Sequence, residues 1–261
     1  MNHPIVIIQA RMGSTRFPGK VLKPILGKPM LWHLVRRVRF ARGLSGVVVA
    51  TSDRAEDEVI RSFCRAAGID VFAGSESDVL DRYYRTAVAY RGDPLLRVTA
   101  DCPLIDPELI ERLLELYAGG SYDHVSVATG AGALFLDGGR YPNGLDAECF
   151  SFAALDQAWT YATESSDREH VTPYIWRVPG RFRCFMLTSP VDYSHLRWTV
   201  DYEDDYLMVR RIYEKLYRDD RPFLTREIVE FLESDPEVGL MNRAHIGQEG
   251  YARVWHPEGS E

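Results

Sequence analysis

A cationic loop near the amino terminus carries the residues best suited to chemistry. Arg11, Arg16 and Lys20 fall within ten residues of one another, interleaved with glycines and hydroxyl side chains. Backbone N–H groups and fixed positive charge that point into one small volume are typical of phosphate-binding sites. A basic surface turn without a ligand is the alternative interpretation. The loop therefore predicts a polyphosphate site that other parts of the chain must support.

Two common phosphate-binding motifs do not match this loop. A P-loop needs four residues between its glycines, followed by Lys and then Ser or Thr. Here five residues separate Gly13 from Gly19, and Lys20 is followed by Val21. The Gly-x-Gly-x-x-Gly fingerprint of dinucleotide-binding proteins is also absent from the loop. These mismatches exclude a P-loop ATPase and an ordinary dehydrogenase.

Two acidic residues each follow an apolar segment that is predicted to be a strand. Asp101 follows 95–100, and Asp201 follows 196–200. Magnesium binds nucleotides through one or two carboxylates together with phosphate oxygens and waters. Two rigidly held acids that face a cationic loop therefore predict a metal site. Capping of the next helix is the alternative role for each acid taken alone.

The composition limits the class of protein. A chain of 261 residues with 46% hydrophobic and 26% charged residues is typical of a soluble globular protein with one large core. It shows neither an apolar run of membrane-spanning length nor a signal-peptide pattern. Four widely spaced cysteines suggest reduced thiols, and a net charge of −7 argues against nucleic-acid binding. We therefore expect a cytoplasmic protein with small-molecule partners, no nucleic acid and no membrane.

The elements that position these residues alternate between strand and helix. Apolar runs separated by amphipathic helices predict an α/β fold with a mostly parallel, doubly wound sheet. Ligands in such sheets bind beyond the carboxyl ends of the strands. This rule places the cationic loop, residues 51–53, residues 73–75 and Asp101 along one rim. The predicted strands are 5–8, 46–51, 70–73, 95–100 and 124–129, and the predicted helices are 29–43, a helix capped by Asp53 and closed by Gly68, 78–90 and 107–117.

The second half of the chain is less regular. Its predicted helices are 152–161, a segment that follows the polar stretch 164–170 and ends near 178, 203–218 and 225–234. Its predicted strands are 183–188 and 196–200. We expect a single domain over residues 1–240, with an insertion at about 130–195 and a polar tail at 241–261. The sequence contains no internal repeat that would indicate a second domain.

Several segments resemble the bacterial sugar-acid cytidylyltransferases, the family that activates 3-deoxy-manno-octulosonate and acylneuraminate. The resemblance rests on Gln9–Lys20, Val98–Ile105 and Arg197–Asp205. Asp78–Tyr84 and Arg168–Ile175 also resemble the branch named after spore-coat polysaccharide biosynthesis protein F. The similarity runs from about residue 4 to about residue 235. It implies a nucleotidyltransferase fold of the nucleotide-diphospho-sugar transferase (GT-A-like) type, CTP as substrate, Mg²⁺ as cofactor and a homodimer, with the insertion on the acceptor side and in dimer contacts.

The resemblance assigns roles to individual residues. The residues implied to bind the nucleotide are Ala10, Arg11, Gly13, Ser14, Arg16, Lys20, Thr51, Ser52, Asp53 and Arg97. Among them Arg11, Arg16 and Lys20 would hold the triphosphate. The residues implied to lie near the cytosine and ribose are Ala10, Thr51, Ser52 and Asp53. Asp101 and Asp201 would hold the magnesium. Catalysis is assigned to Arg11, Lys20 and Asp101.

The acceptor side departs from the octulosonate and neuraminate enzymes. Its polar set is Asn143, Asp146, Glu148, Arg168 and His170. Arg168 is predicted to pair with an acceptor carboxylate through its fork of donors. His170 is a candidate base or substrate ligand, with a purely structural role as the alternative.

The predicted function is transfer of CMP from CTP to an acidic acceptor with release of pyrophosphate, in surface polysaccharide or glycoconjugate biosynthesis. One alternative is a sugar-nucleotide-dependent glycosyltransferase. Such enzymes usually present Asp-x-Asp to the metal, whereas Asp101 is followed by Cys102 and Pro103. The other alternative is a non-catalytic nucleotide-binding protein.

Overall fold

The computed structural model describes residues 3–130 and 138–247. The strands within these ranges are β1 (Ile5–Gln9), β2 (Pro24–Ile25), β3 (Lys28–Pro29), β4 (Gly46–Ser52), β5 (Asp70–Gly74), β6 (Leu95–Thr99), β7 (His124–Val127), β8 (Ala147–Phe150) and β9 (Cys184–Leu187). The α-helices are α1 (Met30–Val38), α2 (Glu58–Ala66), α3 (Val79–Tyr90), α4 (Pro107–Ala118), α5 (Phe152–Tyr161), α6 (Ser165–His170), α7 (Pro173–Trp176), α8 (Glu203–Leu216), α9 (Thr225–Ser234) and α10 (Pro236–Gly239).

Seven of these strands form one sheet in the order β5-β4-β1-β6-β8-β7-β9. The strands β5, β4, β1 and β6 run parallel, and β9 is parallel to β7. Strand β8 is antiparallel to both of its neighbours, β6 and β7. The strands β2 and β3 form a separate small hairpin. This topology confirms the predicted mostly parallel α/β fold.

Helices cover both faces of the sheet, which is why its central strands are apolar on both sides. Alternate residues of β1 enter two separate cores: Val6 and Ile8 belong to one, and Ile5 and Ile7 to the other. The first core contains apolar residues of α1, α4, α8 and α9, and the second contains those of α3, α5 and α7. The sheet is therefore buried at its centre, and its rim is left for polar residues.

Acidic side chains cap the starts of two helices. The Asp78 carboxylate accepts a hydrogen bond from Asp81 N (2.9 Å) at the start of α3. The Asp106 carboxylate does the same for Glu108 N (2.9 Å) at the start of α4. The predicted cap at Asp53 is wrong, because its side chain is exposed and a short 3₁₀ turn, Ala55–Asp57, leads into α2.

Two predictions about strands are also corrected. Residues 196–200 do not join the sheet as a strand. This extended segment is hydrogen-bonded instead to loops, through Asn143 N to Leu196 O (3.0 Å) and Val200 N to Asp101 O (2.8 Å). Strand β8 was not predicted, although it lies inside the main sheet. The segment predicted as an insertion thus supplies β8 and β9 to the central sheet, and residues 131–137 lie outside the described residues.

The end of the described chain packs against the body of the fold. Asn242 is buried, and its side-chain amide donates to Arg197 O and to Asp205 Oδ1 (both 2.8 Å). The start of the predicted tail therefore belongs to the domain, and 248–261, the rest of that tail, lies outside the described residues. Within the described ranges, none of the helices has the length and apolarity needed to cross a membrane.

Candidate active site

A cavity of about 290 Å³ opens at the carboxyl ends of β1 and β6. It brings together most of the residues that the sequence assigns to a site. The predicted site residues in its lining are Ala10, Arg11, Ser14, Arg16, Lys20, Arg97, Asp101, Asn143, Asp146, His170 and Asp201. The cationic loop and both predicted metal ligands therefore share one small volume.

Lys20 lies between the two acids at the centre of this cavity. Its Nζ is 3.2 Å from Asp101 Oδ2 and 3.0 Å from Asp201 Oδ1, and it donates to Val200 O at 2.6 Å. Burial alone would lower the pKa of Lys20, but the charges of the two carboxylates outweigh it and raise that pKa. The ammonium is therefore a permanent cation that bridges both acids.

The two carboxylates have further cationic partners. Asp201 Oδ1 is 2.9 Å from Arg16 Nη2, and Asp201 Oδ2 is 3.0 Å from Arg197 Nη2. Burial raises the pKa of Asp101, but the charge of Lys20 outweighs it, so that the pKa lies below its ordinary value. Asp101 is therefore an ionised carboxylate at neutral pH.

Asp101 and Asp201 fit a divalent metal ion that arrives with a nucleotide. Their oxygens already approach one common cation, the Lys20 ammonium, and carboxylate oxygens are the donors that Mg²⁺ prefers. Across residues 3–130 and 138–247, no group of three or more His, Cys, Asp or Glu side chains could hold a metal by itself. Two carboxylates would thus need phosphate oxygens and waters to complete the coordination shell.

The carboxylate of Asp57 holds the cationic loop in place. The sequence analysis did not identify this buried acid as important. Asp57 Oδ1 accepts from Met12 N (2.7 Å), and Oδ2 accepts from both the N–H and the hydroxyl of Ser52. Gly19 adopts φ 69°, a left-handed conformation that glycine tolerates, immediately before Lys20. The strand end and the acid thus hold the loop in place.

Four predicted nucleotide ligands are not part of the cavity lining formed by the described residues. Thr51 and Ser52 are fully buried, and Ser52 supports the loop through Asp57. Gly13 and Asp53 are exposed outside the lining. Burial keeps the side chains of Thr51 and Ser52 out of the cavity, and the predicted nucleotide contacts of all four residues stay predictions.

Arg168, predicted to bind an acceptor carboxylate, has a different position. Its Nε and Nη2 contact the carboxylate of Asp78, and its Nη1 donates to Trp159 O (2.8 Å). This pairing ties α6 and α5 to the start of α3. The fork of donors is therefore used within the fold, and Arg168 is not in the lining of the cavity as the structure describes it.

Glu148 also lies behind the cavity rather than in its lining. Its Oε1 is 2.9 Å from Arg97 Nη1, and its Oε2 is 3.0 Å from His124 Nε2. Burial would raise the pKa of Glu148, but the positive charges of Arg97 and His124 hold it at about 2. The predicted direct contact of Glu148 with an acceptor is thus corrected to a contact with Arg97.

His170 lies at the end of α6, next to an unusual turn. Val171 has φ 75°, which a β-branched residue rarely adopts, and Thr172 N donates to His170 O (2.9 Å) across it. Burial lowers the pKa of His170, and the nearby charge of Arg97 lowers it further. The imidazole at the cavity is therefore neutral near pH 7.

The loop that carries Asn143 and Asp146 depends on Gly144. This glycine has φ 101°, and a Cβ there would lie 2.4 Å from Thr199 N. Asp146 accepts from Gly144 N (2.8 Å) and from the Thr129 hydroxyl, and burial raises its pKa. The tight approach brings this loop against the segment that ends on Asp201.

The sequence analysis missed several lining residues: Gln9, Thr15, Val21, Thr99, Ala100, Cys102, Glu169 and Thr199. For two of them the sequence contains a pattern that could have identified them. Thr99 and Thr199 each stand two positions before a predicted metal ligand, and Thr199 Oγ1 donates to Asp101 O (3.3 Å). Burial raises the pKa of Cys102 well above its ordinary value, so a thiolate nucleophile is not available there.

A mostly parallel α/β sheet with a cationic loop and two acids at one rim is the architecture of a nucleotidyltransferase. Comparison with known proteins agrees with this class. The family model described as "Cytidylyltransferase" matches residues 5–231. The chain belongs to the cytidylyltransferase family, which confirms the predicted relationship.

Individual relatives have informative names. The chain is 32% identical to the spore coat polysaccharide biosynthesis protein SpsF of Bacillus subtilis, over 94% of this chain and 100% of that protein. It is 41% identical to a 3-deoxy-manno-octulosonate cytidylyltransferase of Anaeromyxobacter dehalogenans, over 46% of this chain and 50% of that enzyme. Among solved structures, a cytidylyltransferase from Leptospira borgpetersenii superimposes with a TM-score of 0.83 at 27% identity, covering 92% of this chain and 97% of that chain.

Proposed function

We propose that this protein transfers CMP from CTP to an acidic acceptor, a sugar acid or a related acid, in surface polysaccharide or glycoconjugate biosynthesis. The contact of Lys20 with Asp101 and Asp201 carries the proposal. It places two carboxylates, which a metal ion requires, next to the positive charge that a triphosphate requires. An acceptor oxygen forms a bond to the α-phosphorus of CTP, the bond to the pyrophosphate oxygen breaks, and the hydroxyl proton is released.

The residues of the loop would act mainly by positioning and charge neutralisation, which dominate phosphoryl-type transfer. Arg11, Arg16 and Lys20 would bind the triphosphate and stabilise the charge that develops on the leaving pyrophosphate. Asp101 and Asp201 would hold Mg²⁺, which supplies charge neutralisation at the phosphate oxygens when bound. The neutral imidazole of His170 can accept a hydrogen bond or a proton from the acceptor hydroxyl.

A pyrophosphate-release screen tests this function. Four nucleoside triphosphates are combined with a panel of sugar acids and phosphonates in the presence of Mg²⁺. We expect release with CTP and at least one acid. Transfer of a sugar without pyrophosphate release would favour a glycosyltransferase, and tight CTP binding without turnover across the panel would favour a non-catalytic nucleotide-binding protein.

The Asp101→Asn variant tests the metal assignment. Loss of a main metal ligand should lower kcat by several orders of magnitude, because the triphosphate charge is then incompletely neutralised. Asp204→Asn is the control, since Asp204 is an exposed acid on α8 close to Asp201 in sequence. Near-normal turnover by Asp101→Asn would contradict the assignment.

We also propose that Mg²⁺ is the working ion, that the protein acts in the cytoplasm and that it forms a homodimer. All four cysteines are free thiols, in keeping with a reducing compartment. Replacing Mg²⁺ by Ca²⁺ should abolish turnover, since Ca²⁺ imposes larger and less regular coordination. Light scattering of the purified protein measures the oligomeric state, and a monomer mass would contradict the dimer.

A further inference from the structure

Three charged side chains on adjacent strands form a buried row behind the cavity: His124 on β7, Glu148 on β8 and Arg97 on β6. Arg97 and Glu148 are register partners across β6 and β8. The Glu148 carboxylate spans the other two groups, at 2.9 Å from Arg97 Nη1 and 3.0 Å from His124 Nε2. The side chains of Arg97 and His124 are only 5% and 2% exposed.

The Glu148 carboxylate is shared by the two basic groups of the row. Burial opposes a charged His124, but the neighbouring Cys184 side chain and the Glu148 carboxylate outweigh it and raise the pKa of His124 to about 9. Asp146 is a second carboxylate whose charge interacts with Arg97. A buried charge is costly unless it is paired, and Glu148 pairs with both basic groups. The row thus holds the Arg97 guanidinium in place.

Of the three groups, Arg97 is the one that the described structure places in the cavity lining. It shares this part of the lining with His170, whose pKa it lowers. The residues of the cationic loop lie in a different segment, the one that follows β1. The described lining therefore contains a further cation, Arg97, which comes from β6 and not from the cationic loop.

We propose that Arg97 binds the carboxylate of the acceptor, and that Glu148 and His124 position its guanidinium. This inference rests on the proposed transfer of CMP to an acid. It moves the carboxylate contact from Arg168, which is paired with Asp78, to Arg97. It also reassigns Arg97 to the acceptor, although the family resemblance implies that Arg97 binds the nucleotide. Glu148 and His124 are positioning residues, since they act through Arg97.

The first test replaces Arg97 by Met in the full-length protein. We expect kcat/KM for the acceptor to fall about 10- to 100-fold, as for loss of a hydrogen bond between charged groups. The Kd for CTP, measured by calorimetry, should stay within about threefold of the wild-type value. The acceptor is 3-deoxy-manno-octulosonate, or whichever acid of the panel the wild-type protein turns over fastest. Arg112→Met, at an exposed arginine of α4, is the control.

The second test compares that acceptor with its carboxamide analogue. The wild-type protein should lose about 10- to 100-fold in kcat/KM with the amide, and Arg97→Met should lose less than about threefold, because its carboxylate contact is already gone. An Arg97→Met variant that still prefers the acid as strongly as the wild type overturns the inference. An equal loss of CTP affinity would assign Arg97 to the nucleotide instead and would also overturn it.

The third test concerns positioning. Glu148→Gln and His124→Asn should raise the acceptor KM about three- to tenfold with kcat and CTP affinity nearly unchanged, since the guanidinium remains but is held less firmly. A fall in kcat alone contradicts this role. If Arg97→Met does not fold, the charge-balanced Arg97→Met/Glu148→Gln variant takes its place in both comparisons.

Failure of the inference and failure of the proposed function give different results. Wild-type turnover of an acid combined with an unchanged acceptor KM in Arg97→Met overturns this inference and leaves the function standing. Absence of pyrophosphate release by the wild type with every acid overturns the function, and the inference with it.

Discussion

Lys20 is the residue at which the proposed metal and phosphate sites meet. Its ammonium contacts both predicted metal ligands, so it competes with any cation that approaches them. A nucleotide offers the ammonium new partners in its phosphate oxygens. Binding of a metal ion and of a nucleotide should therefore be coupled, with the metal entering most easily as part of the nucleotide complex.

The Lys20→Met variant tests this competition. We expect Mn²⁺ in the absence of nucleotide to bind at least about tenfold more tightly than to the wild type, because the two carboxylates lose their internal cation. Turnover with CTP should fall, since the triphosphate loses a positive partner. Mn²⁺ titrations followed by electron paramagnetic resonance measure the affinity. Lys28→Met, at an exposed lysine, is the control, and unchanged Mn²⁺ affinity in Lys20→Met would contradict the coupling.

Single residues were predictable from sequence where a local pattern carried their role. The cations of the loop and the two acids after apolar segments were placed on one rim, and the structure brings them together. Asp57 and Arg168 were not predictable in this way. The partner of Asp57 is the N–H of Met12, and the partner of Arg168 is Asp78, 90 positions away in sequence. Such contacts exist only once the sheet has formed.

Elements were predicted well where periodicity and capping agreed. The segments 152–161 and 225–234 are helices with the expected limits. Strand β8 was missed because Glu148 interrupts its apolar pattern. Arg97 and His124, on the neighbouring strands, pair with this half-buried carboxylate. Residues 196–200 have a strand-like pattern, but they bond to loops. In both cases the partners that decide the structure lie outside the segment, so the pattern of the segment itself does not reveal them.

The row across β6, β8 and β7 should make stability depend on pH. The pKa of His124 is raised from 6.5 to about 9, so its stabilising contribution is fully present below pH 6.5 and is lost as the pH rises through 9. We expect the loss of stability in His124→Asn to be greater at pH 6 than at pH 10 by about 3 kcal/mol. Urea denaturation across this range measures it, and a pH-independent difference would refute the charged pair.

At the scale of the whole molecule, a buried network joins the rim to the end of the described chain. Asp205 pairs with Arg197 (2.9 and 3.1 Å) and accepts from Asp201 N, Tyr202 N and the Asn242 amide. Arg197 in turn contacts Asp201 in the cavity. The start of α8, the predicted metal ligand and residue 242 therefore form one connected unit.

Asp205→Asn should lower the free energy of unfolding by about 3 kcal/mol, since it leaves the fully buried Arg197 guanidinium without its main charge partner. Asp204→Asn, one position earlier and exposed, should change it by less than about 0.5 kcal/mol. Urea denaturation of both variants at one pH gives the comparison. Equal stabilities of the two variants would show that the network does not support the fold.

The position of Lys20 also bears on how the protein matures in a cell. Two carboxylates at one rim would repel each other, and many proteins need a bound ion to overcome that repulsion before they can fold. Here the counterion is part of the polypeptide and arrives with it from the ribosome. We therefore expect folding not to require a divalent ion, and a chelator should leave the melting temperature of the nucleotide-free protein unchanged.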